Sequence, residues 1–482
     1  VTTVRDTSTS RGTSLATRGT NQTLTEALKR AGWSSRDLVR ALNPRLTAIG
    51  EPILHLTAAQ GWLRGSAPRS GTVRRTVATL LTEATGCPYT AAGLWGTQPG
   101  RPEQLKTATD GLVGPRPLTD VLAVAAAWTT TSPGDQAALY AVGDNDLFTA
   151  VWDATRKNPQ APVLLAGPGA DRVDPPHTDV LEDHLTDLRR LDDTAGGGAL
   201  SQRYVRNALA GVLDLLHNSR YTPVVGTRLL GIASGMAQLA GWMAFDADLT
   251  AAAQRYQLLG IRLARAADDE DTIANVLGML SYQHAARHKA ASALRLAEAA
   301  VDHTARSAPV VRARALGRLA TAHAAAGNAG AFRAATELCR TLLDNPGTEH
   351  HPPALYYFTP DQVAAESGHA LVELAASQPH RANRLLSEAT DLLTPLTDHG
   401  LTTGFKRSAL LHGIHLARAH LLSRDATSTV DTLHRLASHL DEVQSIRCRN
   451  LLAHLRRQAG SRIHTSSGAD ALAAVDRALS AA

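Results

Sequence analysis

The sequence predicts an all-α protein in two parts, a short helical bundle followed by a long run of stacked helix pairs. Three observations carry this. Hydrophobic residues make up 44% of the chain but aromatics only 4%, so packing must rest on Ala, Leu and Val, and Ala and Leu are strong helix formers. Runs of β-branched residues with period two are hard to find. From Leu200 onward the chain reads as successive helices of about 14–22 residues with short breaks. At 482 residues the chain exceeds one ordinary core, which predicts two or three domains.

Residues 1–20 are rich in Thr, Ser, Arg and Gly with almost nothing apolar, and read as a disordered tail. Residues 21–96 form the short bundle. Leu24 and Leu28 share a helix face, and Gly32 stops that helix before Trp33, a core anchor. Ser34 or Ser35 caps the next helix, with Leu38, Val39 and Leu42 inward and Asn43-Pro44 expected to break it. After a connection through residues 45–56, Thr57 is the expected N-cap of a third helix ended by Gly65. A fourth helix runs from about Val73 to Thr85, with Val77, Leu80 and Leu81 inward and Gly86 as its stop; Leu94-Trp95 can tuck back onto the bundle.

Residues 97–199 read as a linker, 97–115, and a small helical region with helical patterns over Leu118–Trp128 and Gln136–Trp152. The apolar run 161–169 ends in glycines but lacks the Lys and hydroxyl of a phosphate loop. Gly196-Gly197-Gly198 marks the boundary to residues 200–482. There, Ala274, Leu277, Gly278, Ala290, Leu294 and Ala297 fall at the spacing of one tetratricopeptide helix pair, with Gly278 and Ala290 expected to let the two helices approach. A weaker unit is Leu316, Leu319 and Ala320, a turn at Gly327, then Ala331, Ala335 and Leu338. Further expected pairs are 205–217 with 225–242, 364–376 with 382–393, and 408–422 with 430–440. The expectation is a tetratricopeptide-like α-solenoid.

Charge is uneven. Residues 1–100 carry twelve Lys/Arg against five Asp/Glu, an excess of seven, whereas the whole chain carries only +5. The basic excess sits wholly in the first fifth and points to a polyanion partner, nucleic acid first. A helix-turn-helix reader needs a short helix with small or polar residues outward, an apolar face to fix it, and basic residues nearby to grip phosphates. The segment from Thr57 to Gly65 meets these needs. Ala59, Trp62 and Leu63 form the inward face, while Ala58, Gln60 and Gly61 face out. Gln60 can contact an adenine edge and Ala58 a thymine methyl. Arg64, Arg69, Arg74 and Arg75 sit where a phosphate backbone passes, with Arg36 and Arg40 on the preceding helix. The expected partner is double-stranded DNA, bound by a homodimer, because one short reader helix gives little specificity alone.

Other chemistry finds little support, and neither an enzyme nor a cofactor is expected. His284 and His288 stand one helical turn apart without the Glu of HExxH or a third ligand, so no metal site is expected. The acidic run 268–271 reads as a helix N-terminus, favoured by the dipole. GxSxG elbows and dinucleotide turns are missing. Cys87, Cys339 and Cys448 lie far apart, which fits a reducing cytoplasm, and neither a membrane span nor a signal core is found. Stacked helix pairs make a concave surface. Trp242, Met243, Phe245, Tyr256 and Tyr282 are large residues in an Ala-rich background, able to line that surface or to plug gaps between helices. Arg255 and Arg265 can greet an anionic ligand there.

The motifs Ala31-Gly32-Trp33-Ser34, Arg40-Ala41-Leu42-Asn43, Trp62-Leu63-Arg64-Gly65 and Gly93-Leu94-Trp95-Gly96 resemble the N-terminal domain of actinobacterial regulators of the Cro/repressor helix-turn-helix class. Leu188-Arg189-Arg190-Leu191-Asp192-Asp193 before three glycines, Ala240-Gly241-Trp242-Met243-Ala244-Phe245-Asp246-Ala247 and Ala253-Gln254-Arg255-Tyr256 resemble their tetratricopeptide-like half. The resemblance implies transcription control, often of antibiotic production or sporulation, and a repeat domain that senses a small molecule or peptide or binds a partner protein. The alternative is a protein-interaction scaffold with a degenerate DNA-binding domain.

Overall fold

Residues 21–48, 51–68, 70–85, 89, 91–95, 117–130, 141–156, 171–344, 352–403 and 405–480 are described by the structure, a computed structural model. The expected tail at 1–20, the linker 97–115, the run 161–169, Gly86, Cys87 and Arg69 lie outside them. The described residues are all-helical apart from turns and one isolated bridge between Arg172 and Arg220. They fall into two compact units that divide near residue 100.

The first unit contains α1 (Gln22–Ala31), α2 (Ser35–Ala48), α3 (Ala58–Leu63), α4 (Gly71–Thr85) and α5 (Ala91–Trp95). Asn21 caps α1 by accepting from Leu24 N at 3.0 Å, and Gly32 closes it at φ 67° while Trp33 N–H returns to the Leu28 carbonyl. Trp33 itself is only half-buried. A capping box opens α2: Asp37 N donates to Ser34 Oγ at 3.2 Å and Ser34 N to Asp37 Oδ2 at 3.0 Å. The break expected at Asn43-Pro44 does not occur, and α2 continues to Ala48 through Pro44. The lost N–H and the strained turn are offset locally. Leu46, beyond the proline, is fully buried, and the Asn43 amide clamps the returning chain through both edges of Leu54. Leu24, Leu28, Leu38, Val39, Leu42, Val77, Leu80, Leu81 and Leu94 form the core.

The second unit begins with α6 (Leu118–Thr130), α7 (Asp144–Thr155) and α8 (Pro175–Ala195), continues with α9 (Ala199–Asn218), α10 (Pro223–Asp246), α11 (Thr250–Ala266), α12 (Glu270–Ala285) and α13 (Ala290–His303), and ends with α14 (Pro309–Ala325), α15 (Ala329–Asp344), α16 (Pro360–Ser377), α17 (Ala382–Thr403), α18 (Lys406–Leu422), α19 (Ala426–His439), α20 (Ile446–Gly460) and α21 (Ser466–Ser480). The boundary expected at 199/200 is not where this unit starts. Trp128 of α6 packs on Tyr256 of α11 with ring centroids 5.5 Å apart, and Val142, just before α7, exchanges backbone bonds with the Gln254 amide. The glycines at 196–198 are a tight joint within the unit. A Cβ on Gly196 would lie 2.8 Å from the Gln444 carbonyl oxygen, and one on Gly197 3.1 Å from the Met243 backbone.

Local repetition is visible in the turns. Asp248, Asp268, His288, Gly327 and Arg424 all have φ between 57° and 73°, and each stands two residues before the next helix. In each turn the following N–H reaches back to a helix carbonyl, as Asp269 does to Ala264 and Asn328 to His323, both at 2.9 Å. The chain thus turns α10 onto α11, α11 onto α12, α12 onto α13, α14 onto α15 and α18 onto α19 in the same way. The expected pairing of 225–242 with 205–217 omitted α11, which packs along α10 as α10's hairpin partner. Ser281 Oγ donates to the Ala293 carbonyl at 2.8 Å and ties α12 to α13. Gly278 does not serve that approach. A Cβ there would lie 2.9 Å from Arg318 Cγ, so it makes room for an arginine of α14.

The even-numbered helices also pack on one another in series from α8 to α20. The row curls back: α8 touches α18, and α10 touches α20. Their inward faces line a cavity.

Candidate functional site

Two places are candidates for a functional site, one in each unit. In the first, α3 is held from below by Ala59 and Trp62, both buried. Asn21 N donates to the Leu63 carbonyl at 2.9 Å, and Asn21 Nδ2 to the Leu94 carbonyl at 2.8 Å, which ties α1, α3 and α5 together. Trp62 and Trp95 meet edge to face at 6.2 Å. Leu63 is half-buried. Gln60 and Arg64 are exposed on the opposite side, where Arg64 Nε donates to the Gln60 carbonyl at 3.3 Å. Ala58 and Gly61 are half-buried.

Thr57 occupies the N-cap position but does not cap. Its hydroxyl meets His55 Nδ1 at 2.8 Å, because its backbone (φ −90°, ψ −3°) is turned away from the extended geometry that aims a cap at the helix N–H groups. Arg36 and Arg40 are exposed on α2, Arg40 in an ion pair with Asp37 at 3.0 Å. Arg74 and Arg75 are less available than expected. Both are half-buried; Arg74 Nε donates to the Pro68 carbonyl at 2.6 Å and Arg75 Nη2 to Thr72 Oγ1 at 3.4 Å. Arg74 is brought against the loop that precedes α4, and Arg75 against α4's own first turn. The freely presented set is therefore Gln60, Arg64 and Arg36.

The second place is the partly open cavity of about 490 Å³ lined mainly by the even-numbered helices α8 to α20, with α17 and the segment before α16 completing it, within the range of about 300–1,000 Å³ usual for small-molecule sites. Trp242 and Tyr282 line it with ring centroids 5.9 Å apart. Phe245 stands behind both, at 5.7 and 6.1 Å. Arg318 lies over the Tyr282 ring at 4.4 Å and Arg447 at 5.0 Å; Arg447 is also 5.0 Å from Phe245 and donates to the Tyr282 hydroxyl. Behind Arg318, Arg314 forms a two-pronged pair with Glu366, at 3.0 and 3.1 Å. At the α8 side, Arg407 pairs with Asp192 at 3.1 Å and Asp193 at 3.4 Å. Burial nevertheless pushes the Asp192 carboxyl up to about 7, and that of Asp193 upward as well. Tyr356 donates to Asp193.

Burial disfavours the charged forms of His369, His412, His415 and the two thiols of this region. His369 Nε2 and His412 Nδ1 are 3.1 Å apart, and His369 stacks on His415 at 4.1 Å. Burial first, then neighbouring histidines and Arg447, holds His369 well below the usual imidazole range; burial holds His412 down at about 4. The Cys448 thiol is pushed up to about 11 by burial and Cys339 to about 12, so neither is a ready nucleophile.

Of the residues expected to meet a ligand, Trp242 and Tyr282 reach the cavity and Phe245 supports them. Arg255 and Tyr256 do not. They lie on α11, outside the lining row, where Tyr256 fills the seam with Trp128 and Arg255, buried, donates to the Ala251 carbonyl at 3.0 Å. Arg265 is committed to Glu270 at 2.7 Å. His284 is buried with Nδ1 on the Leu280 carbonyl, while His288 is exposed in its turn; no group of metal-ligating residues occurs among the described residues. The acidic run is a helix start as expected, with Asp269 accepting from Thr272 N. Arg189, Arg318, Arg407, Arg447 and Glu366 were not singled out from the sequence. The one local signal is Arg314 and Arg318, a turn apart inside an otherwise apolar α14 face.

Neither a protein-family model nor a curated protein matches this chain. Its described residues define an all-α protein with a short helix presenting Gln60 beside Arg64 in one unit and an aromatic, mixed-charge cavity in the other. Among the described residues no helix is long and apolar enough to cross a membrane.

Proposed function

We propose that this protein is a DNA-binding transcriptional regulator. Its N-terminal unit reads double-stranded DNA, and its C-terminal unit is a tetratricopeptide-like sensor and dimerisation domain working in the cytoplasm. The observation that carries the reading is α3. It buries Ala59 and Trp62 and presents Gln60 and Arg64 outward, in the part of the chain that holds the entire basic excess. Gln can read an adenine edge through two hydrogen bonds, and exposed arginines neutralise phosphates. A six-residue helix spans few base pairs, so two copies, spaced by the second unit, supply the rest of the specificity. A ligand that favours one arrangement of the second unit would shift that spacing.

The test is selection of duplexes from a randomised pool by the full-length protein, then fluorescence anisotropy on the recovered sequence across salt. Affinity should fall as salt rises, by roughly 0.9 log units per log unit of salt for each phosphate neutralised. No enrichment, or salt-independent binding, would overturn the proposal and favour a protein-interaction scaffold.

A further inference from the structure

We infer that the inner cavity binds a small amphipathic organic anion, a carboxylic acid on a flat apolar body. This deepens the sensor half of the reading above and rests on that half; it is independent of DNA binding.

The argument starts from charge. Five guanidiniums, Arg189, Arg314, Arg318, Arg407 and Arg447, line or back the cavity. Four carboxylates face them: Asp192, Asp193, Asp246 and Glu366. Asp361, also at the lining, is solvent-exposed. Asp192 carries only part of a charge near neutrality, since its carboxyl sits at about 7. Positive charge therefore exceeds negative inside the wall, and a buried cation without a partner is costly.

Hydrogen bonding locates the surplus. Arg407 pairs with Asp192 and Asp193 through Nη2 alone, its buried Nη1 left without a partner, and Arg314 is taken by Glu366 through both arms. Arg318 has only the 3.5 Å contact of Nη1 with the same Glu366, although it is 5% exposed. Arg447 donates only to the Tyr282 hydroxyl, with Asp246 in Coulombic reach. Arg189 makes no hydrogen bond or ion pair with any described residue, and burial pulls its guanidinium downward. Three arginines of α8, α14 and α20 thus bring unfilled N–H groups to one cavity. A carboxylate is the ligand group that a guanidinium fork fits.

The rest of the wall describes the rest of the ligand. Trp242 and Tyr282 offer ring faces, tilted 37° to one another, beside Arg318 and Arg447. Leu239, Met279 and Leu411 add apolar surface. A ring carried two or three bonds from a carboxylate could stack there with its anion on the arginines.

Calorimetric titration of the full-length protein with three probes of one shape tests this: 3-phenylpropionate, phenethylamine and 3-phenylpropanol. The acid should bind at least about tenfold more tightly than the amine or the alcohol, the size of one charge-assisted hydrogen bond. Arg189→Gln should weaken the acid about tenfold and leave the alcohol unchanged, and Arg189→Lys should recover part of the loss. Amine binding as tight as acid binding, acid binding indifferent to Arg189→Gln, or no heat from any probe at millimolar concentration would overturn the inference. No titration contains DNA, so failure of the DNA reading leaves these outcomes unaltered.

Discussion

Arg314 grips Glu366 with both arms of its guanidinium, Nη1 to Oε2 at 3.0 Å and Nη2 to Oε1 at 3.1 Å, and joins α14 to α16 behind the cavity. Arg314 is 2% exposed and the ring of Phe358 covers it at 4.7 Å. A buried pair of this kind contributes little net stability over an apolar substitute, but removing one partner strands the other. Arg314→Ala should cost about 3–5 kcal/mol in urea denaturation. Arg314→Met with Glu366→Leu together should cost much less than the two single changes added.

Acid should expose the same pair. The two arginines beside Glu366 hold its carboxyl down at about 2 against its desolvation, and Arg265 and His303 do the same for Glu270. Both folded values lie below the unfolded value of about 4.3. Their stabilisation is therefore present above that pH and lost as pH falls toward 2. Asp192 has the opposite sign. Its folded value of about 7 lies above the unfolded one, so its contribution declines as pH rises from about 4 to 7. Thermal midpoints measured across pH should show Glu366→Gln flattening the acid limb and Asp192→Asn flattening the limb between pH 4 and 7.

Glycine positions should separate sharply. Gly196 stands at φ 78°, ψ 178°, with the Gln444 carbonyl oxygen 2.8 Å from a built Cβ. Gly196→Ala should destabilise by about 1–3 kcal/mol from backbone strain alone. Gly211 lies within α9 with open space around it, and Gly211→Ala should stabilise by about 0.5–1 kcal/mol. Chemical denaturation of the two variants gives the comparison; equal effects would contradict the packing of the 196–198 joint.

On DNA, Gln60→Ala should relax preference at one base position, at a cost of about 1–3 kcal/mol there. Arg64→Ala should weaken all sequences alike and reduce the salt slope by about one. Anisotropy with matched and singly substituted duplexes distinguishes the two. Arg74→Ala should act more weakly on the salt slope than Arg64→Ala, because Arg74 is already spent on the Pro68 carbonyl.

The helices themselves were legible. Leu24 and Leu28, or Val77 with Leu80 and Leu81, announce a buried face by spacing alone, and Gly32 and Gly327 end or turn helices at φ 67° and 73°. Pro44 misled, because its local cost is outweighed by contacts that Leu46 and Leu54 make beyond it. The buried side of α3, Ala59 and Trp62, was legible, since α3 is short and its pattern local. The cavity was half legible: Trp242 and Tyr282 stand out in an Ala-rich chain, but Tyr256 stands out equally and faces Trp128 instead.

What the amino-acid order determines here is which stretches become helices, where they turn, and where positive charge gathers, because these depend on residues within a few positions of one another. Which arginines meet at the cavity was decided only by tertiary structure. Arg447 reaches Tyr282 across 165 positions, and Arg407 reaches Asp193 across 214. Helical spacing predicts a side chain's face, not which distant helix will cover it. The curling of the even-numbered row, which brings α8 to α18 and α10 to α20, gathers scattered buried charges around a single cavity.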